Sequence, residues 1–488
     1  MKRIVKLFYL IYYIIEMKIL FYSTNSNHFD CNTFKISSYP TCKDEFAKLV
    51  LDFSQHEFFV VTQFPGMFLI DYFEEGKFLK SEKVNYYVLN SNEKNDAQSF
   101  AKIILNFNPD VAVAFSFWLN PFDWLSLKDS MVAEILNSNG IKTFCHSTKT
   151  CSICFDKNFT NQKLNELISN KKIGKLKIPK SVYVHHELFF SERNKNEIKE
   201  NVYKEFVFSE IQKLNFPVII KDTCGVSSYG MEVATTYNQV ISFLNSKRNN
   251  SDRIIQEYID GFHFGTEIYS CYKKNNLEKN HFVFSPFIFS TNKYGITSPK
   301  QSVKLGPIKN SKFKIDELKN SLQQLATEFD FCGITQVDLI FKNDSWYLLE
   351  INPRLSGMSK LYSVLIEKSL PEIFVNLIEN NFDFNFENEK TFLQETNNNC
   401  AINFKLPILS EKDFEMVSKN PNVKYLNQLH NLCAKQEREK GFCQIILSSK
   451  KSFDDLKFLF EEFINENKNI IDEDLLQGAF DLFNFCTE

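Results

Sequence analysis

The chain has 488 residues, 43% of them hydrophobic and 24% charged, with a formal net charge of −3. That length exceeds one hydrophobic core and calls for about two to four domains, while the near-neutral balance argues against nucleic acid or an anionic membrane as partner. The 51 Phe against 14 Gly read as compositional bias of the source rather than as function. The 12 cysteines are scattered, and the one CxxC, Cys151 with Cys154, has no second pair to complete a zinc site. Reduced, mostly buried thiols in a cytoplasmic protein are expected.

Residues 1–16, MKRIVKLFYLIYYIIE, have a basic start and an apolar run, as a signal peptide does. The run is too short to span a bilayer and no small-residue cleavage site follows, so we read an N-terminal extension ahead of a chain that starts near Met17. No stable membrane association is expected. Over residues 17–150, strand-like runs (KILFYS, EFFVVTQF, DVAVAFSF and 140–144) alternate with helical patterns at 43–53, 97–106 and 125–137. Such alternation predicts a parallel α/β sheet with helices on both faces. No GxGxxG follows the first strand, which leaves a dinucleotide site unsupported.

A helix is expected over 155–170 and another over 203–214. FPVIIKDTCGVSSYGMEVATT then reads as strand, small-residue loop and strand. Lys221 ends a buried-looking run beside Gly225, Ser227, Ser228 and Gly230, where a cation, hydroxyls and loop N–H groups can clamp a polyphosphate. The Lys precedes the glycines, unlike a Walker A loop, and a plain surface hairpin would also give this pattern. RIIQEYIDGFHFGTEIYS reads as strand, turn and strand, with residues 256–259 suited to an adenine edge and His263 and Glu267 on the returning strand. Ser298, Lys300 and Lys304, ahead of a helix at 311–330, are substrate-side candidates on what a solvated polar loop would explain equally well.

Residues 333–357, GITQVDLIFKNDSWYLLEINPRLSG, form the most informative stretch. QVDLIF and WYLLEIN read as two strands joined at Asn343-Asp344-Ser345. Buried strands seldom carry acids, yet this pair holds Asp338 and Glu350. A three-residue loop sets Asp338 opposite Glu350 and Gln336 opposite Asn352; a two-residue loop slips the register and scatters them. Two carboxylates and an amide oxygen on one face make a hard-oxygen site suited to magnesium. A helix near 371–379 and an Asn-rich boundary follow. Residues 385–488 (AINFKLPI, GFCQIILSS, DDLKFLFEEFINE) then read as a small α+β domain.

Taken together, PVIIKDTCGVSSYGM, IIQEYIDG and VDLIF…YLLEINPR, in this order, resemble the ATP-grasp superfamily of carboxylate–amine ligase type over residues 151–380. The small-residue loop is similar to that of D-alanine–D-alanine ligases. The EINPR ending is more like carbamoyl phosphate synthetases, biotin carboxylases and amino-acid ligases. The resemblance implies an α/β and α+β multidomain chain: an α/β domain at 17–150, an ATP-grasp core of two α+β subdomains with its lid hairpin at about 180–265, and a C-terminal α+β domain. It implies ATP with Mg2+ (or Mn2+) as cofactors. Lys157, Lys221, Gly225, Ser227 and Ser228 would meet the phosphates, and Gln256, Glu257 and Ile259 the adenine. His263 or Glu267 would hold the ribose. Asp338, Glu350 and Asn352 would hold the metal, with Arg354, Lys221 and Ser228 at the reacting groups. The reaction so implied joins a small-molecule carboxylate to an amine through an acyl phosphate, releasing ADP and phosphate, on amino acids or small peptides. Dimers are common for this resemblance. The competing readings are a biotin carboxylase-like enzyme and a catalytically silent ATP-binding regulator.

Overall fold

The computed structural model describes residues 16–24, 34–64, 66–74, 77–89, 93–117, 126–194, 200–225, 231–272, 278–291, 303–379, 399–432, 440–468, 471 and 473–487. The expectations for residues 1–15 and for Ser227, Ser228, Ser298 and Lys300 lie outside them.

The first apolar runs form a five-stranded parallel sheet in the order Val84–Leu89, Glu57–Gln63, Lys18–Tyr22, Val111–Ala114, Lys142–Phe144. Helices Cys42–Asp52, Ala97–Phe107 and Ser126–Ser138 flank it. The first two start where polar side chains satisfy free N–H groups, Thr41 accepting from Asp44 and Asp96 from Ser99. One strand of this region, Phe34–Tyr39, leaves the parallel sheet and pairs antiparallel with Val423–Asn431.

A four-stranded antiparallel sheet follows, in the order Glu232–Ala234, Val218–Asp222, Arg253–Glu257, Ser181–Val184. Strand alternation sends Val218, Ile220 and Ile255 into a core with Val240 and Phe243 of helix Tyr237–Asn245. Ile219, Lys221 and Gln256 therefore occupy the opposite face.

The largest sheet has ten strands. Its order is Ser345–Asn352, Gly333–Lys342, Phe262–Tyr272, Phe287–Phe289, Lys304–Gly306, Cys400–Leu406, Gly441–Ser449, Val423–Asn431, Phe34–Tyr39, with Lys279–Val283 also paired to Phe262–Tyr272. Strands from the C-terminal hundred residues thus continue the sheet that holds Asp338 and Glu350. RIIQEYIDGFHFGTEIYS is not a hairpin, because Arg253–Glu257 and Phe262–Tyr272 belong to different sheets. The chain crosses between them at Gly261, where a Cβ would lie 2.6 Å from the Phe341 carbonyl oxygen, leaving room only for glycine.

Two buried polar contacts tie the parallel-sheet region to the rest. His146 accepts at Nδ1 from the Cys332 N–H (3.3 Å) and donates from Nε2 to the Ile334 carbonyl (2.8 Å). Burial pushes its pKa down to about 4, so the ring stays neutral. Lys360 Nζ meets both Glu45 oxygens at 2.6 Å, with the pair almost fully buried. The ten cysteines among the described residues are free thiols, and Cys151 and Cys154 are buried on helix Thr148–Phe155. No described helix is long and apolar enough to cross a membrane.

Candidate active site

The turn of the central hairpin differs from the expectation. Lys342 pairs with Ser345, so only Asn343 and Asp344 form the loop, with φ of 45° and 59°. This double left-handed turn matches the twist of the flanking strands, and Asn and Asp tolerate it best after glycine. By itself it would leave Asp338 facing Leu349. A β-bulge intervenes: Leu339 pairs with Leu348 while Asp338 pairs with Glu350, leaving Leu349 as the extra residue. Trp346, Leu348 and Ile351 all remain in the core with Val337, Leu339 and Phe341. Glu350 and Asn352 are thereby turned to the face that carries Gln336 and Asp338. The four polar residues gather as expected, through a bulge rather than a longer loop.

The facing sheet and a helix hydrogen-bonded just past the end of one of its strands supply cations. Lys157 opens helix Lys157–Ser169, whose N-cap is Asp156. Its backbone N–H donates to the Thr223 carbonyl (2.8 Å), and its ammonium reaches Glu350 Oε1 (3.1 Å) and the Gly225 carbonyl (3.0 Å). Lys221, 8% exposed, donates to Gln256 Oε1 at 2.8 Å. On the hairpin a line of donors runs from Arg354 to Asn352 Oδ1 (3.1 Å), from Asn352 Nδ2 to Gln336 Oε1 (2.8 Å), and from Gln336 Nε2 to Asp338 Oδ1 (2.6 Å).

These charges are shared unequally. Burial, then the neighbouring Glu350 carboxylate, raises Asp338 to about 6. Burial also works against Glu350, but the ammonium groups of Lys157 and Lys221 overcome it and hold that carboxyl below its ordinary range. Burial, followed by repulsion from Lys157, lowers Lys221 to about 8. A paired-acid face opposed by closely spaced cations suits a metal–polyphosphate complex, in which metal and phosphate each satisfy one set. Among the described residues no three His, Cys, Asp or Glu side chains converge on one point, so a softer all-protein metal cage is absent there. Asp338, Glu350 and the Asn352 amide oxygen fit a magnesium ion that keeps phosphate and water as its other ligands.

One cleft between the two sheets is lined by Lys157, Lys221, Gly225, Gln256, Glu257, Ile259, His263, Asp338 and Glu350. Within it, Glu257 accepts from the Asn215 N–H and Nδ2, both at 2.9 Å. Glu267 is not in that lining. It is fully buried on the sheet face of Gln336, its register partner, where Ser356 (2.7 Å) and Ser359 (2.6 Å) donate to Oε1, and burial raises it to about 7. Arg354 is not in that lining either; it lies between the amide line and a small cavity that it lines with Ser116 and Asp129. Tyr258, within the 256–259 stretch singled out from the sequence, lines the cleft too, as do Ile219, Met231 and Phe289, which the sequence reading missed. Alternation at Ile219 relative to Lys221 was the available signal; nothing local marked Met231 or Phe289.

Solved structures share this architecture. An L-amino acid ligase from Bacillus licheniformis aligns with a TM-score of 0.58 at 15% identity, over 93% of this chain and 98% of that one. A biotin carboxylase from Campylobacter jejuni aligns with a TM-score of 0.55 at 10% identity, over 90% and 88%. The fold is therefore that of the ATP-grasp proteins. Residues 193–358 match the ATP-grasp domain family, so this stretch of the chain carries an ATP-grasp domain. Among curated relatives, D-alanine–D-alanine ligase A of Bacillus cereus is 25% identical over 244 residues, 50% of this chain and 70% of that protein. The arginine-specific carbamoyl phosphate synthase large chain of Halalkalibacterium halodurans is 22% identical over 162 residues, 33% of this chain but only 15% of the relative.

Proposed function

We propose that the protein is an ATP-dependent ligase that joins a carboxylate to an amine, on amino acids or small peptides, and releases ADP and phosphate. The observation that carries this reading is the bulged hairpin: Asp338 and Glu350 face the same cleft as Lys157 and Lys221, with Arg354 beside them. Lys157 and Lys221 would bind the phosphates of ATP, and Gln256, Glu257 and Ile259 its base. His263 would meet the ribose, a role that the burial of Glu267 makes unsuitable for that carboxylate. Magnesium held by Asp338, Glu350 and Asn352 would neutralise charge on the phosphate oxygens.

Attack of a substrate carboxylate oxygen on the γ-phosphorus forms the acyl phosphate and breaks the bond to ADP. The amine then attacks the acyl carbon, losing a proton and expelling phosphate. Arg354 would stabilise the oxyanion of that second step. Water exclusion is essential, since an acyl phosphate otherwise hydrolyses. Phosphate release across a matrix of amino-acid pairs with ATP and magnesium tests this. Turnover should require two substrates and be abolished in Glu350→Ala; undiminished turnover in that variant refutes the reading.

A further inference from the structure

The ten-stranded sheet carries polar groups on the cleft face that the reaction outlined above leaves unused. His263, Phe289, Lys304 and Asn403 are direct register partners across four successive strands, so their side chains share that face. The neighbours of Asn403, Ile402 and Phe404, point into the opposite core. Lys304 is partly buried, its ammonium lying 4.8 Å from the centre of the Phe289 ring. Among the described residues it makes neither an ion pair nor a hydrogen bond. Asn403 is 2% exposed and its Nδ2 has no acceptor. Lys304 Nζ thus has no hydrogen-bonded partner and the buried Asn403 NH2 no acceptor, so donors at two adjacent positions are available to a ligand, and the buried amide costs stability unless something accepts from it.

We propose that Lys304 and Asn403 form a carboxylate-binding subsite that holds the end of the substrate remote from its reacting group. The inference rests on the ligase reading and adds the substrate class: a small acid with a second carboxylate. Three strand steps, roughly 14 Å between strand axes, separate Asp338 from Lys304, and the lysine side chain recovers about 6 Å of that. A substrate of a few carbons therefore reaches from the phosphoryl end to Lys304. The ammonium already feels Asp338 and Glu267, whose charges oppose the lowering that burial imposes on it. Asn403 belongs to strand Cys400–Leu406, so the C-terminal part of the chain reads the substrate directly. Gln444, on the next strand and the same face, donates to the Gly357 carbonyl (3.3 Å) and links this strip to the Arg354 loop.

The test uses the full chain, magnesium and a non-hydrolysable ATP analogue, with glutarate as the calorimetric probe. Wild type should bind glutarate, and Lys304→Met and Asn403→Asp should each weaken it by about tenfold or more, the loss expected for a hydrogen bond to a charged group. Asn403→Asp is nearly isosteric, which keeps the test valid where loss of the lysine disturbs folding. Affinity for the ATP analogue should change by less than about twofold. Absent glutarate binding in wild type, or unchanged binding in both variants, overturns the subsite. So does a loss of analogue affinity that leaves glutarate untouched, because Lys304 would then serve nucleotide phosphate. If no substrate pair supports turnover yet glutarate binding follows the variants, the ligase reading falls and the subsite stands. If turnover is found but the acid's KM is the same in all three proteins, the subsite falls alone.

Discussion

Asp338 should make the metal-free protein less stable than it would be without that carboxylate. Its pKa lies near 6 in the folded protein, against 3.8 for an unperturbed side chain. Between those values the folded state keeps a proton that the unfolded state has released. Stability therefore declines as pH rises from about 4 to about 6 and stays reduced above that. At 1.36 kcal/mol per pH unit the full penalty is roughly 3 kcal/mol, and water in the cleft brings the expected figure to about 1–2 kcal/mol. Asp338→Asn removes the charge and keeps the shape. In EDTA at about pH 7.5 the variant should melt a few degrees above wild type, with the gap closing below about pH 5. Millimolar magnesium should raise the melting temperature of wild type and leave the variant unmoved, because only a folded site with its carboxylate gains from the ion. Scanning fluorimetry over this grid decides the matter. An equal magnesium response in both proteins, or a variant no more stable at pH 7.5 without metal, refutes the account.

Three further outcomes follow from the geometry. Deleting Leu349 removes the bulge residue and leaves Asp338 opposite Glu350, so the shortened protein should fold within about 2 kcal/mol of wild type and keep its magnesium-induced stabilisation; a folded protein without that response refutes the register argument. Gly261→Ala drives a methyl group against the Phe341 carbonyl and should cost about 2–4 kcal/mol, read from denaturant midpoints. Glu267→Leu frees Ser356 and Ser359, which carry the loop after Arg354; kcat should fall by about tenfold while KM for ATP holds steady, and a matching rise in that KM would return Glu267 to the nucleotide.

The parallel sheet was legible because its strands and helices alternate locally, and the hairpin because two acids interrupt apolar runs. The bulge left a trace as well. Trp346, Leu348 and Ile351 are spaced by two and then three, which an unbroken strand cannot bury on one face. Other features have no local signal. Lys304 and Asn403 become neighbours only when strands from distant segments are laid side by side. Glu267 has the sequence context of a ligand-facing residue, and only the packing of Ser356 and Ser359 onto it reveals a structural anchor. The strand-turn-strand pattern at 253–272 was correct in its elements and misleading in its pairing, because periodicity does not report which sheet a strand joins.

The pairing of Phe34–Tyr39 with Val423–Asn431 has a consequence for how the chain is made. On the ribosome the five strands of the parallel sheet emerge early and can associate at once. Strand Phe34–Tyr39 cannot, since its partner is synthesised near the other end of the chain. Until then its backbone N–H and C=O groups present a free edge to other chains. That edge stays open during synthesis until residues 423–431 arrive to pair with it.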